Sequence, residues 1–434
     1  MIKRFSIIIF ILQIAFSQSD SSRFTYSTLL EIPDLSFLNR VYSGLDILEQ
    51  MDFKPIRGKK IGILCNQTSV NHNGKHILDL LKPFQDIEVV VLFSPEYGLW
   101  GADDNRIVLK GGHEIDPVHG ARIIDLFERY KVPPNWAISK LDYIIVDIQD
   151  TGVRHTTFMT SITKLMESAS DHKVPVMILD RPNPIRADIF DGPIPRPEYQ
   201  SFEAYHLVPM RHGLTLGEYA IMVNENGWVR DLKRVDLRIM PMANYKRQMS
   251  YSETKLPWVN PTPFLNDVES TLMYVGMDLF RGTNINVGFG TDKPYLRFGS
   301  PWLSNRYLKE QLENLNIPGV SYKLVKYKPM GHEGKKKVPQ YDQSFCSGID
   351  IVVTDFTMCN PIVVATSIIL LMERIHPREF QWIGNGYVDK LYGSNFFRIF
   401  AAQKKPPSHL PPMWMHDVLK FSTFRNAFLI YGDA

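Results

Sequence analysis

Four short runs, residues 60–65, 88–93, 142–147 and 175–180, are almost unbroken in apolar and β-branched side chains. A strand that is apolar at successive positions is covered on both faces, which places it inside a parallel sheet flanked by helices. The segments between the runs supply those helices. Residues 160–172 carry Ile162, Leu165, Met166 and Ala169 on one stripe, and residues 76–81 have helical spacing too. Residues 43–205 therefore predict an α/β fold, a parallel sheet with crossover helices. The gaps 97–141 and 181–205, rich in Gly, Pro and Asp, predict loops over the sheet rim.

Each run ends in a polar cluster: Asn66-Gln67-Thr68, then Glu96-Tyr97-Gly98, then Asp147-Ile148-Gln149-Asp150, then Asp180-Arg181-Pro182-Asn183. Open α/β sheets bind ligands at the carboxyl ends of their strands, so four such clusters mark one candidate site. Further on, Thr215 and Glu218 have capping-box spacing, with Arg211 and His212 just ahead of the predicted helix. Periodicity lapses over residues 245–260, read as a linker. From there to residue 434 the pattern mixes strands such as 349–354 with helices such as 361–374, a second and smaller α/β unit.

Lys and Arg number 49 against 46 Asp and Glu, a net charge of +3 over 434 residues, too small for a nucleic-acid surface. No glycine-rich phosphate loop is present, which removes the usual nucleotide cradle. Gly-x-Ser-x-Gly, His-Glu-x-x-His and Cys-x-x-Cys are missing as well, which disfavours a serine triad or structural zinc. Carboxylates remain. Glu96, Asp147, Asp150 and Asp180 at neighbouring strand ends can hold a hard cation or perform acid/base work, and acid/base work is preferred. Glycoside cleavage needs two carboxyl groups about 5–10 Å apart, and strand ends ~4.8 Å apart supply such spacings. The expectation is a saccharide ligand and no metal, nucleotide, nucleic acid, integral membrane partner or other cofactor.

The polar segments 92–98, 147–154, 179–184, 211–218 and Gly282-Thr283-Asn284 together resemble the exo-β-N-acetylmuramidase family, in its order and over nearly the whole chain. The resemblance implies a Rossmann-like catalytic domain over 43–250, an auxiliary domain over 258–434 and a cleft between them. It also implies release of N-acetylmuramic acid from non-reducing ends of peptidoglycan fragments. On this reading Glu96 is the general acid or acid/base, Asp150 or Asp147 orients substrate or water, and Arg154 holds a partner carboxylate; an internal Arg154–Asp150 salt bridge is the alternative. Candidate substrate contacts are Asn66, Tyr97, Gln149, Arg154, Asp180, Arg181, Asn183, Arg211, His212, Arg281, Thr283 and Asn284. The chain departs from the family pattern at Tyr97, at Thr156-Thr157-Phe158, at 261–264, at 288–291 and at Arg281, where the family usually carries Glu. Arg281 can grip a substrate carboxylate bidentately. These departures leave a second reading open: a catalytically impaired relative that binds saccharide in the same cleft.

Lys3 and Arg4, the apolar run 5–16 and small residues Ala15 and Ser17 read as a cleavable leader, residues 1–17, implying a secreted or periplasmic protein. Of three cysteines, Cys346 and Cys359 are the pair open to a bridge, with Cys65 buried and free.

Overall fold

The computed structural model describes residues 23–101, 108–110, 113–331 and 338–432, so the expected leader lies outside the described residues. All four apolar runs are strands of one nine-stranded sheet. Its members are β1 (Ser27–Leu29), β2 (Lys60–Cys65), β3 (Glu88–Ser94), β4 (Val108–Lys110), β5 (His113–Ile115), β6 (Arg122–Asp125), β7 (Tyr143–Asp147), β8 (Val176–Leu179) and β9 (Leu237–Met240). Their order is β1-β9-β8-β7-β2-β3-β6-β5-β4, parallel from β1 to β6 and antiparallel over the last two. The chain winds outward from β2 through β3 to β6, then returns to the other side of β2 with β7. That reversal makes the sheet doubly wound, with its switch point between β2 and β7.

Burial follows strand geometry. Along β7, Ile144 and Val146 face one core with the helices Phe158–His172 and Leu216–Glu225, while Tyr143 and Ile145 face the other with Gly44–Gln50 and Ile77–Leu81. Thr215 and Glu218 form the expected capping box. Two expectations change. Segment 97–141 is not all rim loop: Arg122–Asp125 pairs in parallel with β3, a strand too short for periodicity to reveal. Nor is 245–260 only a linker, because Arg247 within it is wholly buried, ion-paired to Glu218 and hydrogen-bonded to the carbonyls of Ala187 and Gly213.

The second unit is a three-stranded antiparallel sheet, β10 (Arg297–Ser300), β11 (Val320–Tyr327) and β12 (Cys346–Val353), with β12 central. It packs with the helices Val268–Met277 and Pro361–Ile375 in a core that also takes in Val153, Ile185 and Met210 of the first unit. Residues 258–434 do not keep to themselves. Phe421 and Phe428 enter the first unit's core, and the Tyr431 hydroxyl donates to Asp180 Oδ2 at 2.7 Å. Cys65, Cys346 and Cys359 are all buried free thiols, so the bridge that spacing left open does not form.

Candidate active site

β3 ends in the turn Pro95-Glu96-Tyr97-Gly98, closed by the Gly98 N–H on the Pro95 carbonyl at 3.1 Å. Tyr97 holds φ at +73° and Gly98 at +78°. Positive φ suits glycine, but in a tyrosine it costs ~1–3 kcal/mol that surrounding structure must offset. Thr157, at the start of helix Phe158–His172, donates its hydroxyl to Glu96 Oε2 at 2.8 Å, and the Tyr97 phenol feels the charge of this carboxylate. Burial, reinforced by Glu96, pushes the Tyr97 phenol far above its ordinary range, so it remains a donor. Its ring meets Phe264 edge-on at 6.2 Å, and Phe264 packs on Phe289 at 4.5 Å, giving the turn an apolar wall from the second unit.

The second unit adds charge. Arg281 Nη1 lies 3.2 Å from Asp278 Oδ2 and Nη2 lies 3.0 Å from Glu203 Oε1. Tyr295 donates to Asp278 Oδ1 at 3.2 Å and Tyr387 to Glu203 Oε2 at 2.5 Å. Burial works against the Arg281 charge, but Asp278 and Glu203 outweigh it and hold the guanidinium firmly protonated. His155 Nε2 lies 2.8 Å from the Leu391 carbonyl and Nδ1 lies 3.7 Å from Asp278. Burial, then the charge of Arg154, depresses its pKa far below the ordinary value, leaving it neutral with Nε2–H as donor.

Of the candidates read from sequence, Glu96, Tyr97 and Arg281 come together here. The expected bidentate grip of Arg281 on a substrate carboxylate does not fit, because both terminal nitrogens already face carboxylates. Asp147 is fully buried, with Oδ1 2.6 Å from Arg181 Nε and Oδ2 2.9 Å from Nη2, while Arg181 also donates to the Val70 carbonyl at 3.0 Å. This ion pair fills the switch point between strand ends and occupies the groups expected to touch substrate. Arg154 holds no carboxylate, from substrate or from Asp150: its guanidinium donates to the carbonyls of Pro193, Val208 and Leu391 at 2.5, 3.0 and 2.5 Å. Asp150 instead accepts the Gly152 N–H at 2.9 Å and lies 3.3 Å from His212 Nε2.

The remaining candidates brace the fold. Asn66 Oδ1 accepts the Thr68 N–H and hydroxyl at 2.9 and 2.6 Å. Gln149 donates to the carbonyls of Asp150 and Pro182, Asn183 to that of Leu214, and Arg211 to that of Ile185. Thr283 donates to the Phe280 carbonyl, and Asn284 ties down the 379–381 backbone. Asp180 is fully buried and accepts the Gly217 N–H and the hydroxyls of Thr215 and Tyr431 at 2.8, 2.8 and 2.7 Å. A side chain at Gly217 would start 2.9 Å from Asp180 Oδ2, so glycine is what lets this helix start meet the carboxylate.

Burial pushes the Asp180 carboxyl up to about 6 despite those donors. Its folded pKa exceeds the unfolded one, so the native chain binds more protons between about pH 4 and 6, and stability falls as pH rises through that window. Urea unfolding across this range should show a loss of ~1–3 kcal/mol that is reduced in Asp180→Asn. Identical slopes in both proteins would contradict it.

Sequence reasoning missed Glu203, Asp278, His155 and Tyr387. Asp278 stands three residues before Arg281, a spacing that predicts a helical ion pair. Glu203 and Tyr387 carry no local signal, since only tertiary packing sets them beside Arg281.

Fold and site define the class: a two-unit α/β protein with a doubly wound sheet, a strand-end carboxylate, and an Arg-carboxylate cluster in which Glu203 of the first unit meets Arg281 and Asp278 of the second. Family models described as the N-terminal and C-terminal parts of the exo-β-N-acetylmuramidase NamZ match residues 61–269 and 272–431. The chain belongs to that glycoside hydrolase family. It is 32% identical over 394 residues to the peptidoglycan β-N-acetylmuramidase NamZ of Bacillus subtilis strain 168, covering 90% of this chain and 92% of that one. Two DUF1343 family proteins of Bacteroides fragilis share the architecture. One has a TM-score of 0.82 at 24% identity over 91% of this chain and 100% of its own. The other has a TM-score of 0.74 at 28% identity, over 91% and 99%.

Proposed function

We propose that this chain is a secreted exo-β-N-acetylmuramidase that releases N-acetylmuramic acid from the non-reducing ends of peptidoglycan fragments, with Glu96 as proton donor. The single observation that carries this reading is Glu96 itself: a partly exposed carboxylate on a strained strand-end turn, held by the Thr157 hydroxyl beside the aromatic wall of Tyr97 and Phe264. In such hydrolysis the acid protonates the glycosidic oxygen as its bond to the anomeric carbon breaks, and water supplies the hydroxyl of the released sugar. The relative from Bacillus subtilis supports the substrate. Export rests on Lys3, Arg4 and the apolar run 5–16.

The test is incubation of the purified protein with a disaccharide of N-acetylmuramic acid β-linked to N-acetylglucosamine. Release of free N-acetylmuramic acid, with internal bonds of longer chains left intact, is expected. Binding by calorimetry without any release would replace this reading with that of an impaired saccharide binder, and absence of both would overturn each.

A further inference from the structure

Helix Phe158–His172 meets Glu96 at its start and a surface pocket along its next two turns. Thr157 donates to Glu96. Thr160 then donates to the Phe202 carbonyl at 2.9 Å, the Thr163 hydroxyl lies 3.1 Å from His206 Nε2, and Lys164 Nζ donates to the Tyr205 hydroxyl at 2.6 Å. Residues three and four apart share a helix face, so one face holds both Glu96 and the segment 202–206. At 1.5 Å per residue, Thr163 and Lys164 stand about 9–11 Å past Thr157. The sheet makes the same connection. The Leu126 N–H, just past β6, donates to the Ser94 carbonyl two residues before Glu96 at 2.9 Å, and Phe127 meets the Phe202 ring edge-on at 5.8 Å.

The pocket, of about 440 Å³, is walled by the part-exposed rings of Phe202, Tyr205 and Trp228 with the buried His206 among them. The Tyr205 ring is fixed, its hydroxyl accepting from Lys164 and donating to Glu167 Oε1 at 3.1 Å. Burial pushes the His206 imidazole down to about 3, so it is neutral, and no Asp, Glu, Lys or Arg stands among the described residues that line the pocket. Lys131 and Lys164 lie over the rings of Phe202 and Tyr205 at 5.5 and 4.3 Å but do not line it. At the exposed rim Gln200 donates its amide N–H to the Tyr205 carbonyl at 2.7 Å, which fixes the amide and leaves its oxygen as an acceptor. The Ser201 hydroxyl, buried in the pocket wall, has no hydrogen-bond partner among the described residues. Aromatic walls with a few polar groups and no charge suit a neutral sugar ring; an anionic peptide or phosphate would meet no lining cation.

Nothing precedes the terminal sugar that an exo-acting enzyme releases, so a glycan site remote from the cleaved bond serves the chain that leaves. We propose that this pocket is a distal subsite for the leaving chain: it takes a neutral N-acetylglucosamine ring beyond the first disaccharide while the bond that is cut lies at Glu96, and Gln200 accepts a hydroxyl of that ring. The inference rests on the proposed function and adds to it a preference for longer fragments.

The test compares the disaccharide with the peptide-free hexasaccharide of alternating N-acetylmuramic acid and N-acetylglucosamine. The parent's kcat/KM, and the affinity of Glu96→Gln measured by calorimetry, should both favour the hexasaccharide by about 3–10-fold, the size of one added ring contact. Phe202→Ala should bring that ratio close to one. Gln200→Ala, at an exposed position where the fold tolerates change, should lower it by about 2–5-fold, the loss of one hydrogen bond. Should Phe202→Ala fail to fold, Gln200→Ala decides. Disaccharide turnover with no gain for the hexasaccharide overturns this proposal alone, as does a gain that persists undiminished in Gln200→Ala. A parent that neither cleaves nor binds the disaccharide refutes the proposed function, and the subsite with it.

Discussion

Glu96→Gln should lower kcat/KM on a β-N-acetylmuramide by ~10²–10⁴-fold, the range set by loss of a positioned acid, while melting stays within a few degrees of the parent. The expectation of an intact fold is specific to this turn. The Thr157 hydroxyl donates to Glu96 and can donate equally to an amide oxygen, and the Pro95–Gly98 hydrogen bond that closes the turn is untouched. What the amide cannot do is deliver a proton to a glycosidic oxygen. The alkaline limb of the pH–rate profile should vanish with it, because that limb reports the acid's ionisation. Parental activity in Glu96→Gln would remove Glu96 from the chemistry.

Asp147→Asn has the opposite signature. Its carboxylate pairs with Arg181 through two short contacts, both side chains are buried, and the Asp147 carbonyl accepts the Ser69 hydroxyl at 2.5 Å. Neutralising one member strands the Arg181 charge in the sheet edge, for which ~3–5 kcal/mol of lost stability is expected. Denaturant unfolding would measure it, and kcat of the folded fraction should change only a few-fold. A stable Asp147→Asn protein that has lost turnover would return Asp147 to the catalytic group.

The doubly wound sheet was readable because its central strands are buried on both faces, and that demand writes long apolar runs into residues 60–65, 142–147 and 175–180. The outer strands β1 and β4 and their inner neighbours β5 and β6 are only three or four residues long, too short for periodicity to mark them. The site divided along similar lines. Strand-end polarity nominated Glu96 and Tyr97, whose groups do stand on one turn at the rim, and equally Asp147, Asp180 and Asn66, whose polar groups serve ion pairing, helix capping and turn formation. Local sequence does not separate a carboxylate held for chemistry from one held for structure, because both follow strands. Arg281 drew notice as a charge change within a recognisable motif. Its partner Glu203 lies 78 residues earlier, in a loop without periodicity, and is connected to it only by the packing of one unit against the other.

The most direct test of the central claim is a crystal structure of Glu96→Gln with the β-linked N-acetylmuramic acid disaccharide bound. The glycosidic oxygen should lie within hydrogen-bond reach of the position 96 amide, about 3 Å, with the sugar against Tyr97 and Phe264. A disaccharide seated elsewhere, for instance in the surface pocket of about 440 Å³ lined by Phe202, Tyr205 and Trp228, would contradict it.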